Sequence, residues 1–194
     1  MQKFAALSHE IQACTLCSEH LPHTPRPVFQ SSPASKILIA GQAPGRKVHE
    51  TGIPFDDASG ERLRSWMGIG LDDFYNPEKV AILPMGFCFP GTGKSGDLPP
   101  RQECAPKWRQ KMLNNMPDIG LTLVIGQYAL AWHLGERSKA SLTETVRNWR
   151  CYGSKNIMPL PHPSPRNNIW LAKNPWFTDE VLPVLKQKVS HSLA

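Results

Sequence analysis

The chain has 194 residues, 40% of them hydrophobic, with 22 Lys and Arg against 16 Asp and Glu for a net charge of +6. That length suits one domain over residues 1–194, the hydrophobic share excludes wholesale disorder, and no apolar run approaches the roughly 18–20 residues of a membrane span. The N-terminus is too polar for a signal peptide, so a reducing cytoplasm is the expected compartment and no membrane partner is expected. The excess of positive charge is compatible with a polyanionic partner without identifying one.

Residues 1–35 read as an N-terminal helix followed by an extended arm. The arm carries Cys14-Thr15-Leu16-Cys17 and then Pro22, Pro25, Pro27 and Pro33. The 19 prolines of the chain are about twice the usual share of roughly 5%. They stand singly or in pairs beside Gly, Asn and Ser, which marks them as loop punctuation in an ordered protein.

The first strand is expected over Lys36-Ile37-Leu38-Ile39-Ala40, a short apolar run closed by Gly. It runs into Gly41-Gln42-Ala43-Pro44-Gly45. That segment is either a plain strand-to-helix turn or a loop whose backbone approaches a ligand closely. No Gly-Lys-Ser/Thr follows at the spacing of a phosphate-binding P-loop. Next comes Gly52-Ile53-Pro54-Phe55-Asp56-Asp57-Ala58-Ser59-Gly60. An aromatic beside two carboxylates offers stacking and acid/base work. The same Asp residues, standing just before a predicted helix from Ser59 to Met67, also fit an N-cap.

A second strand over Val80-Ala81-Ile82-Leu83 leads into Pro84-Met85-Gly86-Phe87-Cys88. The Gly91-Thr92-Gly93-Lys94-Ser95-Gly96 loop reads as a surface turn. Helical spacing returns over Arg101 to Met116, with Trp108, Met112 and Met116 on one face. A third strand, Leu121-Thr122-Leu123-Val124-Ile125, ends in Gly126. Short helices follow over Tyr128 to Leu134 and Leu142 to Trp149.

The last strand, Asn156-Ile157-Met158-Pro159-Leu160, opens into Pro161-His162-Pro163-Ser164-Pro165-Arg166-Asn167, and a helix over Phe177 to Val189 closes the chain. Three prolines around one His hold a polar tip in a fixed shape, as preorganised catalysis requires. Strands alternating with helices predict an α/β fold: a three-layer α/β/α sandwich on a central four-stranded parallel sheet. Ligands of such sheets bind beyond the carboxyl ends of the strands, where the unusual segments of this chain fall.

Four of the five cysteines form a C-x2-C pair, Cys14 and Cys17, and a wider pair, Cys88 and Cys104. Four thiols in a reducing compartment suit zinc or a [4Fe–4S] cluster. Structural zinc favours two tight knuckles, so the wide second pair favours the cluster, with zinc the second choice. Cys151 stands outside the set.

The order Gly-Gln-Ala-Pro-Gly, Gly-Ile-Pro-Phe-Asp-Asp-Ala-Ser-Gly, a Cys after the second strand, and His-Pro-Ser-Pro-Arg-Asn resembles the uracil-DNA glycosylase superfamily. The cysteine set is similar to its iron–sulfur branch, families four and five, and to a proteobacterial glycosylase-like subgroup. The resemblance covers about Cys14 to Asn167. It implies that Cys14, Cys17, Cys88 and Cys104 ligate a structural [4Fe–4S] cluster. It also implies that Phe55 stacks on a flipped base, that the Gln42 and Ala43 backbone meets the base edge and a water, and that His162 hydrogen-bonds the leaving base. Ser164, Pro165, Arg166 and Asn167 would enter the duplex groove, with Lys94 on the backbone.

Two departures qualify the transfer. Family four has Glu where Gln42 stands, and Gln is no general base; the family-five pattern places the working carboxylate at Asp57, with Asp56 in reserve. Relatives also carry a base-reading Asn where this chain has Pro84. The implied activity is release of a deaminated base, uracil first, from double- or single-stranded DNA by a monofunctional, monomeric glycosylase associated with the nucleoid. The alternatives are a glycosylase for another deaminated base, or a non-catalytic binder of damaged or single-stranded DNA on the same scaffold.

Overall fold

In the computed structural model, which describes residues 2–94, 96–137 and 141–194 (the side chain of Arg137 excepted), all four apolar runs are strands. They are β1 (Ile37–Ala40), β2 (Val80–Ile82), β5 (Leu121–Ile125) and β6 (Ile157–Leu160), with a small hairpin, β3 (Thr92–Gly93) and β4 (Gly96–Asp97), between the second and third. The four long strands pair in parallel in the order β2-β1-β5-β6. Ile37 lies opposite both Val80 and Leu121, and Thr122 opposite Ile157. The hairpin corrects the reading of 91–96 as a plain loop: Thr92 pairs with Asp97 in antiparallel register. Ser95 lies outside the described residues.

Alternation along each strand builds the layers. Ile37 and Ile39 of β1 face a core with Leu63 and Trp66 of helix α3 (Ala58–Met67) and with Leu185 and Val189 of helix α9 (Leu182–Leu193). Leu38 faces the opposite side, where Trp108 and Met112 of helix α5 (Cys104–Leu113) meet Ile11 of helix α1 (Gln2–Gln12). Ala40 and Val124 on that side pack on Ala129 and Leu130 of helix α6 (Gln127–Leu134). Each buried Leu or Ile of this kind contributes about 1.5–3 kcal/mol of transfer free energy. The result is the expected α/β/α sandwich. No helix among the described residues is long and apolar enough to cross a membrane.

Three short helices escape the periodicity: α2 (Arg46–Thr51), α4 (Leu71–Phe74) and α8 (Asn168–Lys173). Each is shorter than the window over which a 3.6-residue repeat can be read. Helix α5 starts at Cys104 rather than Arg101, because the residues after Pro99-Pro100 form a turn first. Helix α7 (Leu142–Arg147) stops short of Trp149, which opens a 3-10 stretch to Lys155. A π turn over Phe177–Val181 precedes α9, which runs on to Leu193.

The proline-rich arm covers the exposed edge of the sheet. Gln30 forms an antiparallel bridge with Ile82, and its side-chain amide donates to the carbonyls of Phe74 (2.9 Å) and Val80 (2.7 Å). Covering an edge strand removes a template for unwanted pairing. The opposite edge, β6, contains Pro159, which an edge strand tolerates because its missing N–H breaks no ladder.

Candidate active site

The strand order reverses at β1, so the loops after the strands diverge and leave a crevice at their carboxyl ends. A cavity of about 500 Å3 occupies it. Its floor is the loop after β1, with Gly41, Gln42 and Ala43, joined by Pro84 after β2. The two loops are zipped together: the Met85 and Gly86 amides donate to the Gly41 and Gln42 carbonyls at 2.9 and 3.0 Å. The Gln42 side-chain amide donates to the Leu98 carbonyl at 3.3 Å. Pro84 is buried and offers the cavity an apolar ring.

One wall comes from the turn into α3. Asp57 is the N-cap of this helix, its Oδ1 accepting from the Gly60 amide at 2.9 Å, and it also lines the cavity. The two readings of Asp57, cap and site residue, are therefore compatible: one oxygen is committed to the helix. Phe55 has φ +54°, a left-handed conformation rare for an aromatic. Its ring meets Phe74 edge-on at 6.2 Å between centroids and lines the cavity. Gly60 makes this turn possible, since a Cβ there would run into the Phe55 carbonyl, 2.7 Å from its carbon. Asp56 points elsewhere, 3.9 Å from Lys47 Nζ, and is no part of the lining.

The facing wall is the loop after β6. The Ser164 amide donates to His162 Nδ1 at 3.2 Å, and the Asn167 side-chain amide to the His162 carbonyl at 2.7 Å. With Nδ1 accepting, the neutral ring carries its proton on Nε2. Burial lowers the His162 pKa below the ordinary imidazole value; Asp57 and Asp97 pull it upward by smaller amounts. The ring is neutral at pH 7 and presents an N–H donor.

Several site residues carried no sequence signal. Asp97 of the hairpin lines the cavity, 3.5 Å from where a Cβ on Gly45 would sit. Arg62 of α3 reaches across to Ser164 and Asn168. Arg109 of α5 is wholly buried, donating from Nη1 to the carbonyls of Leu83 (2.6 Å) and Pro84 (3.3 Å), while Nη2 meets His133 Nε2 at 2.8 Å. Burial lowers the Arg109 pKa only to about 10, so it stays charged and fixes the backbone on which Pro84 sits. Burial, then Arg109, pushes His133 down to about 3. A single sequence marks neither residue, because their partners are backbone carbonyls and side chains far along the chain.

Of the residues picked out by sequence, Gln42, Ala43, Phe55, Asp57, Pro84, His162, Ser164, Arg166 and Asn167 line this one cavity. Pro165 is exposed at the start of a 3-10 turn beside it, and Lys94 is exposed outside the lining. Ile169, 70% exposed, stands one residue beyond Asn168 on the same stretch.

Cys14, Cys17, Cys88 and Cys104 come together around a second, small cavity of about 20 Å3, walled by Ile11, Phe87 and Trp108. Cys104 Sγ accepts from the Phe87 amide at 3.3 Å and Cys14 Sγ from Trp108 Nε1 at 3.4 Å. Burial pushes the Cys88 thiol up to about 11 and Cys104 up to about 12. Among the described residues, no three His, Cys, Asp or Glu side chains converge on a point as a single ion requires. Donor chemistry fits an iron–sulfur cluster, which takes four cysteines around a body larger than one ion. A tetrahedral zinc, with Zn–S of about 2.3 Å, is not preformed. Cys151 is exposed and apart.

The family model described as the uracil DNA glycosylase superfamily matches residues 28–186. A type-4 uracil-DNA glycosylase of Thermotoga maritima is 26% identical over 164 residues, which cover 81% of this chain and 80% of that relative.

Proposed function

The chain belongs to the uracil DNA glycosylase superfamily, and on that premise we propose that it is a monofunctional DNA glycosylase releasing a deaminated base, uracil first, from DNA. The observation that carries the reading is the convergence of Phe55, Asp57 and a neutral His162 on one cavity beyond the strand ends. A flipped base needs an aromatic face to stack on and a donor for the charge it gains on leaving. It also needs a carboxylate beside the sugar. All three chemistries line this cavity.

In this reading the target nucleotide leaves the stack and its base lies against Phe55, between the Gln42–Ala43 backbone and Pro84. The bond from C1′ of the sugar to the base nitrogen breaks, and its electron pair stays on the base. His162 Nε2–H donates to the base oxygen on which that charge gathers. The free oxygen of Asp57 faces the cation left on the sugar and orients the water that adds to C1′, accepting a proton from it. The products are free base and an abasic site. Ser164, Pro165, Arg166 and Asn167 enter the duplex groove, with Pro165 or Arg166 filling the gap left by the flipped nucleotide, and Lys94 meets the backbone. Pro84 reads the base by shape alone.

Cys14, Cys17, Cys88 and Cys104 would hold a [4Fe–4S] cluster, with zinc the alternative, and through such a crosslink these four residues would tie the N-terminal arm to the segment after β2. The chain acts as one domain and as a monomer on DNA.

Incubation with uracil-, hypoxanthine- and xanthine-containing oligonucleotides, followed by alkali, tests the reading. Strand scission at uracil is the expected result, and no scission on any of them by metal-loaded protein overturns it. The Gln42 amide engaged with Leu98 and the apolar Pro84 favour one second reading, a non-catalytic damage binder. Salt-dependent binding without base release at high protein concentration would establish it instead.

A further inference from the structure

We infer that Arg62 is a positioning residue that fixes the DNA-contacting edge of the site, residues 164–168, to the helix capped by Asp57. The inference rests on the glycosylase reading above. Arg62 Nη1 donates to the Ser164 carbonyl at 3.1 Å and Nη2 to Asn168 Oδ1 at 2.8 Å. One acceptor belongs to the backbone of the His162 loop and the other to the first residue of α8. A planar guanidinium spans both at once, which a lysine ammonium cannot do in the same geometry.

The same loop residue ties the assembly to the imidazole. Ser164 accepts from Arg62 through its carbonyl and donates to His162 Nδ1 through its amide. Asn167 closes the loop by donating to the His162 carbonyl. A continuous path therefore runs from the Asp57 helix through Arg62 and Ser164 to His162. Below it, Leu63 and Trp66 of α3 share a core with Leu160, Trp170 and Leu171, so the hydrogen-bonded path lies over packed apolar side chains. No ion pair ties Arg62 to a carboxylate among the described residues. Two of its five N–H groups, one on each terminal nitrogen, are engaged by the loop and α8, and the salt dependence of binding separates this holding role from a phosphate contact.

This assignment has a signature that neither a phosphate contact nor mere stability shares. Binding is measured for a duplex carrying a stable abasic analogue, at several salt concentrations between about 50 and 200 mM. Arg62→Ala is expected to weaken binding on the order of 10-fold, the size of a lost charge-assisted hydrogen bond. The slope of log Kd against log salt should match the wild type. Arg166→Gln, by contrast, should lower that slope by about 0.9, the share of one phosphate contact. Arg62→Lys should fail to restore binding. Asn168→Ala should weaken binding in the same direction, and the Arg62→Ala/Asn168→Ala pair should lose less than the sum of the two.

Unchanged binding of Arg62→Ala overturns the inference, as does a slope lowered by about 0.9, or full restoration by lysine. If Arg62→Ala does not melt cooperatively, Asn168→Ala decides alone, and wild-type binding by that variant overturns the inference. A wild-type protein that neither binds the duplex nor releases a base fails the glycosylase reading itself. One that does both, while its Arg62 variants equal it, fails only the positioning role.

Discussion

The amide of Ser164 donates to His162 Nδ1 at 3.2 Å, and this contact determines what the imidazole offers the cavity. It forces the proton of the neutral ring onto Nε2, and burial keeps the ring neutral by lowering its pKa below 6.5 against the opposing pull of Asp57 and Asp97. Single-turnover base release should therefore stay level as pH falls from 8 through 6.5, and drop only below. Stability follows the same sign: a histidine with a lowered pKa contributes fully above 6.5, and the contribution is lost as pH falls through the folded value. His162→Ala should cost about 10²–10³ in rate with the fold intact. A rate that rises as pH falls through 6.5 would mean that a charged imidazole does the work.

Asp57 carries two duties that different substitutions separate. Asn caps a helix about as well as Asp, whereas Ala costs about 1 kcal/mol at such a position. Asp57→Asn should thus keep the melting temperature near that of the wild type while lowering the rate of base release by orders of magnitude. Asp57→Ala should lose both. If Asp57→Asn retains full activity, the cap is the residue's whole role, and Asp97 becomes the carboxylate to test next.

The four strands and the cavity they frame were legible because buried parallel strands read as short apolar runs, and such folds bind ligands where those runs end. The segments after β1 and β6 therefore stand out in the sequence itself. What stayed hidden depends on distance along the chain. Arg109 sits in Lys107-Trp108-Arg109-Gln110-Lys111, a stretch that looks solvated, yet it is fully buried on two carbonyls of β2's end. Arg62 likewise serves acceptors more than a hundred residues away. The hairpin that brings Asp97 to the cavity has strands of two residues each, too short for any alternation to show.

The cysteine site makes a prediction independent of catalysis. Burial raises Cys88 and Cys104 to about 11 and about 12, so in the free protein at pH 8 both are neutral thiols. Cluster loading must draw protons off them and should raise the melting temperature, because folding and ligation are linked. The purified protein should be brown and hold about four irons per chain. Serine at any one of Cys14, Cys17, Cys88 or Cys104 should remove the visible absorbance and lower the melting temperature. Cys151→Ser should change neither. A colourless protein carrying zinc would replace the cluster, and one carrying no metal would remove the cofactor altogether.

Gly60 gives the sharpest test of how the wall is built. In the interior of an exposed helix, Gly→Ala usually stabilises by about 1 kcal/mol. At Gly60 the sign should reverse, because the new Cβ would collide with the carbonyl of Phe55. Phe55 cannot easily yield: it is already held at φ +54°, with its ring against Phe74. Relief must come from unwinding the first turn of α3, where Asp57 caps Gly60 itself. Gly60→Ala should therefore lower stability by about 2–4 kcal/mol, the range of core overpacking and cap loss combined. Near-UV circular dichroism should change as Phe55 leaves its place, and base release should fall with it. A Gly60→Ala protein as stable and active as the wild type would show that the turn before α3 can relax, and that the strained Phe55 is not what shapes the cavity.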